Sequence, residues 1–231
     1  MGNTKTFSFW VISVFGEWKI EGMIQREKIS FSPLPFIAYL AMVVGLYVLK
    51  SAWISFAIYH GLILCVFLFA GNRAWWKKLI EGWSPGVGLG SMMFGITGGI
   101  ILYFLAPWAG IDKAMLEAGL AKLGLQGAPL LLFTIYHALV NPWFEEILWR
   151  GKLGSDSRRL VLNDFLFSGY HLLVLVLFMD WWWMFPAFGI LTVSGWFWRQ
   201  IKRHQKGLVV PVLSHLAADA SIMLVVLNLL R

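Results

Sequence analysis

Charge and cysteine are what this sequence lacks. Only 13% of its 231 residues are Asp, Glu, Lys or Arg, roughly half the share of an ordinary soluble domain. Its one cysteine, Cys65, excludes an intrachain disulfide and any CxxC metal knuckle. Lying in an apolar run, Cys65 is expected to pack as a small hydrophobe. No HExxH zinc signature occurs. The stretch "TVSG" at 192–195 lacks the leading glycine of a GxSG serine motif, and Gly86-Val87-Gly88-Leu89 lacks the aspartate of a GxGD aspartyl motif.

What is present is apolar. Hydrophobic residues make up 59% of the chain, with 14 Trp and 18 Phe, and mean hydropathy is +0.71. The expected fold is all-α: a polytopic integral membrane helical bundle of about seven transmembrane helices, each needing about 20 mostly apolar residues. The candidate spans are 33–50, 52–70, 86–106, 128–149, 160–178, 182–198 and 208–230. Residues 112–124 read as a short surface helix. Residues 1–32 read as an N-terminal interfacial segment, because Phe7, Trp10, Val11, Val14, Phe15 and Trp18 share one helical face. Residues 33–231 form the bundle. Gly95 and Gly99 form a GxxxG pair, expected to let two helices approach closely.

The net charge of +7 is distributed as the positive-inside rule requires, so no nucleic-acid partner is expected. Basic residues gather before the first span, after the second (Arg73, Lys77, Lys78), after the fourth (Lys152, Arg158, Arg159) and after the sixth (Arg199, Lys202, Arg203, Lys206). The opposite side holds Lys50, Lys113, Lys122 and Arg231. This places the N-terminus in the cytoplasm and the C-terminus outside.

Ionisable residues within spans are costly and point to function. They are His60, His137, Glu145, Glu146, Asp164, His171, His215 and Asp219, with Asn141 as a neutral companion. Glu146 and Arg150 are four apart and can pair on one helical face. Glu145 is rotated about 100° from Glu146, onto the face of Asn141 and His137. His215 and Asp219 also share a face. At the helical rise, Glu145 lies roughly 7 Å from the cytoplasmic end of its helix, His215 about 10 Å and His171 about 16 Å. Three helices therefore bring carboxylates and imidazoles into the same half of the bilayer. Such a set can polarise a water and stabilise an oxyanion. His60 is expected to be a satisfied polar group, and His137 a polar contact lining the cavity.

The motifs Glu145-Glu146-x-x-x-Arg150, Phe167-x-x-x-His171 and His215-x-x-x-Asp219, in this order, resemble the CPBP family of intramembrane proteases. These are the CAAX prenyl endopeptidase type II proteins and their bacteriocin-processing relatives. The resemblance covers about 128–225 and includes the proline before the glutamates and "GLVVP" ahead of His215. It implies an endopeptidase acting on a membrane-associated or lipidated protein or peptide, in a bacterial cell membrane, with the site open to the cytoplasm. Glu145 and His171 would activate water, Glu146 would be held by Arg150, and His215 and Asp219 would bind or stabilise the oxyanion. Asp219 stands where the prenyl-processing branch has Asn, and an ionised Asp accepts hydrogen bonds but cannot donate them. Glu145, His171 and His215 also have the composition of a three-ligand zinc site, so a divalent metal and a metal-independent glutamate mechanism both stay open. Two other readings compete. One is a catalytically silent scaffold or bacteriocin self-immunity protein on the same fold. The other is a proton-coupled transporter, for which no inverted repeat is visible.

Overall fold

The computed structural model describes residues 32–69 and 74–231, with backbone alone for 74–76. The amphipathic segment expected before residue 32 lies outside them. Pro33–Arg231 forms one compact unit. Among the described residues the secondary structure is helical, with no strand.

Helices overlap the expected spans, and two further ones, at 74–80 and 113–122, lie between them: α1 (Phe36–Val48), α2 (Ala52–Phe69), α3 (Ala74–Ile80), α4 (Pro85–Leu105), α5 (Lys113–Lys122), α6 (Ala128–Leu139), α7 (Asn141–Glu146), α8 (Leu162–Leu175), α9 (Met184–Gln205) and α10 (Val209–Leu229). Of these, α2, α4 and α10 are long and apolar enough to cross a membrane. Leu68, Phe69, Met93, Phe104 and Phe185 project outward, as lipid-facing side chains do in an integral membrane protein.

The expected surface helix is α5, begun by Asp112, whose carboxylate accepts from the Met115 N–H at 2.8 Å. The fourth span departs from expectation. It breaks at Val140, because Pro142 has no N–H to continue the helical ladder, and after Glu146 it continues as a π-helical turn, Ile147–Lys152. The sixth span is longer than hydropathy indicates. Arg199, expected in a loop, is buried within α9 because Asp164 neutralises it with contacts of 2.9 and 2.7 Å. Cys65 is exposed rather than packed. Its helix, α2, is apolar all round, so a hydrophobe on its outer face has lipid to meet.

The closest helix pairing is α4 against α10, made by small residues. A methyl group on Gly95 would collide with the Ser214 carbonyl, and one on Gly99 with the Ser221 backbone. The Ser214 hydroxyl donates to the Ser91 carbonyl at 2.5 Å across this seam. At the entrance to α10, the Leu208 N–H donates to the Lys78 carbonyl and the Val209 N–H to the Glu81 carbonyl. Gly207 is pressed against the Glu81 carbonyl, where no side chain fits. These contacts fix the depth of the helix that carries His215.

Candidate active site

Glu145 and Glu146 end α7 side by side, and the structure separates them as the helical geometry predicts. Both are buried. Glu146 Oε1 is 3.1 Å from Arg150 Nη1 and accepts from His215 Nδ1 at 2.8 Å. The Arg150 contact is an ion pair without hydrogen-bond alignment, since neither Nη of Arg150 has a hydrogen-bond partner. The guanidinium instead lies over the rings of Phe167 at 4.0 Å and Trp198 at 5.0 Å. Gly195 leaves room for it, since a Cβ there would come within 3.2 Å of Arg150 Nη2.

Glu145 is held through one oxygen only. Its Oε1 accepts from the Tyr170 hydroxyl at 2.5 Å and from Asn141 Nδ2 at 3.0 Å. Its Oε2 has no hydrogen-bond partner. That oxygen faces His215 Nε2 at 3.7 Å and His171 Nε2 at 4.0 Å. Both imidazoles are oriented from behind. His171 Nδ1 is 2.8 Å from the Phe167 carbonyl, which can only accept, so Nδ1 carries the hydrogen and Nε2 is free. His215 Nδ1 likewise donates to the Glu146 carboxylate. Phe167 therefore does more than fill space: its carbonyl orients His171, and its ring packs edge-on against that imidazole and under Arg150.

Asp219 completes the cluster. Its Oδ1 is 3.5 Å from His215 Nε2 and its Oδ2 is 3.6 Å from His137 Nδ1, while Asn141 Nδ2 reaches Oδ2 at 3.3 Å. His137 thus lines the cavity, as expected. All seven residues of the three motifs lie in one connected cluster. Asp164 does not join it. It bonds the Val161 N–H at the start of α8 and pairs with Arg199, which also donates to the carbonyls of Ser155, Ser157 and Arg159. Tyr170 escaped the sequence reading. The only local sign was an aromatic beside His171, and its hydroxyl's target is on another helix.

These polar groups open into a cavity of about 730 Å³ whose remaining wall is almost wholly apolar, from Phe94 and Ile101 of α4 to Ile190 and Val193 of α9. Glu145, His171 and His215 supply one oxygen and two nitrogens to a shared space. Among the described residues, however, no group of three or more His, Cys, Asp or Glu is arranged to hold a metal ion.

An unengaged carboxylate oxygen facing two oriented imidazoles, inside an apolar cavity, is an arrangement that can activate a water. Residues 127–221 match the family model described as Type II CAAX prenyl endopeptidase Rce1-like, which supports the resemblance to the CPBP proteases over that stretch. Comparisons with curated proteins and with solved structures return no match.

Proposed function

We propose that this protein is an intramembrane endopeptidase that hydrolyses a peptide bond in a membrane-associated or lipidated protein or peptide. The observation that carries the reading is Glu145 Oε2, buried, unpartnered and directed at the Nε2 atoms of His171 and His215. A water bridging Glu145 Oε2 and His171 Nε2 loses its proton to Glu145 as its oxygen attacks the scissile carbonyl carbon. His215, between the carboxylates of Glu145, Glu146 and Asp219, stabilises the oxyanion when protonated. Asp219 accepts rather than donates, so its role is to orient His215. The carbon–nitrogen bond then breaks, Glu145 returns the proton to the leaving amine, and a new carboxylate and a new amine result. Glu146 holds the His215 ring, and Arg150 offsets the charge of Glu146. Were a divalent metal bound, Glu145, His171 and His215 would be the residues to hold it, and it would supply Lewis-acid activation of the water.

The apolar cavity suits a transmembrane segment or a lipid chain. A bilayer of the bacterial cell membrane, with a cytoplasmic N-terminus and the site open to the cytoplasm, fits the distribution of Lys and Arg. The test compares membranes carrying the wild type, Glu145→Gln and His171→Ala, with new peptide termini mapped by mass spectrometry. Termini present only with the wild type support proteolysis. Identical termini in all three overturn it in favour of a scaffold or transporter. Metal analysis of the purified protein, and the effect of a chelator on the same termini, decide the cofactor.

A further inference from the structure

Asn141 lies outside the three motifs, yet it makes three side-chain hydrogen bonds, more than Glu145, Glu146, His171, His215 or Asp219. It is 1% exposed. It touches Glu145 Oε1 at 3.0 Å and Asp219 Oδ2 at 3.3 Å with one end, and His60 Nε2 at 3.2 Å with the other. Carboxylates only accept, so the end facing them is the NH₂ group, and Oδ1 faces His60. His60 must then donate from Nε2, leaving Nδ1 to accept from the Tyr136 hydroxyl at 2.8 Å. Every hydrogen in this chain has one direction: Tyr136 to His60, His60 to Asn141, Asn141 to both carboxylates. Phe144 holds the imidazole in plane by stacking on it, with ring centroids 4.2 Å apart.

We propose that Asn141 and His60 are positioning residues, which engage Glu145 Oε1 and Asp219 from behind so that Glu145 Oε2 alone is left for water. The proposal rests on the peptidase reading for its consequence, but not for its geometry. Both carboxylates favour the NH₂ end of the amide, and the Nε2–H of His60 fixes the opposite end by donating to Oδ1.

Two measurements test it on the full-length protein in lipid. The first is the rate at which wild-type-dependent peptide termini appear. In His60→Gln the amide nitrogen replaces Nε2–H, and the rate stays within about threefold of wild type, whereas His60→Asn, too short to reach Asn141, and His60→Leu lose about tenfold or more. Asn141→Leu falls as far as these. Equal losses in all three His60 variants would show that His60 only fills space and would overturn the proposal. The second readout needs no activity: solid-state NMR of isotope-labelled histidine. The resonance that disappears in His60→Gln should be a neutral ring protonated at Nε2, in contrast to the Nδ1–H rings of His171 and His215. A His60 ring protonated at Nδ1 reverses the chain and overturns the proposal even if the termini prove independent of Glu145.

Discussion

The Tyr170 hydroxyl donates to Glu145 Oε1 at 2.5 Å, while the other oxygen of the same carboxylate meets no donor. This asymmetry gives one carboxylate both an anchor and a working edge. Tyr170→Phe removes the anchor but keeps the ring, which stacks on Trp149. The expected result is a well-folded protein whose rate falls about tenfold, the cost of about 1.4 kcal/mol in the barrier. Thermal unfolding and the production of new termini, measured on the same preparation, check it.

Arg150 predicts a sharper penalty. Its guanidinium is buried with Glu146 at 3.1 Å and two aromatic rings around it. Removing one partner of a buried pair costs about 3–5 kcal/mol, so Arg150→Ala should be expressed poorly or melt well below the wild type. Arg150→Lys keeps the charge but not the flat stacked surface and should be intermediate in a thermal-shift series.

The Asp164–Arg199 pair ties α8, α9 and the segment between residues 155 and 159 together. Asp164→Leu leaves a buried guanidinium without its carboxylate and should destabilise by about 3–5 kcal/mol. Adding Arg199→Met should recover part of the loss. A double variant no more stable than the single one would show that the carbonyl contacts of Arg199 outweigh the ion pair.

Along the α4–α10 seam, Gly99→Val and Gly95→Leu should displace the helix that carries His215 and Asp219, because their side chains would meet backbone atoms of Ser221 and Ser214. Gly98→Ala should be tolerated, since its Cβ would sit 3.6 Å from the movable tip of Ile222. Termini production across the three variants checks the ranking.

Much of the site was legible because its motifs are local. Glu146 with Arg150 and His215 with Asp219 sit one helical turn apart, a spacing that shows in any linear reading. The helices were legible from apolar runs, and the Gly95–Gly99 approach from two small residues one turn apart. The supports were not legible. The His60 contact with Asn141 spans 81 positions of chain, and nothing near Tyr170 shows where its hydroxyl points. The break at Val140 was hidden because the flanking residues remain apolar, so hydropathy runs through a point where the backbone does not. Arg199 was misplaced for the opposite reason: a charge reads as a loop until its buried partner is known.

Cys65 projects from the outer face of α2, the same helix whose inner face holds His60. The chain has no other thiol. A fluorophore or spin label attached there reports the depth of α2 in a bilayer without any engineered cysteine and without disturbing the carboxylates, so the native sequence supplies its own optical ruler for the membrane.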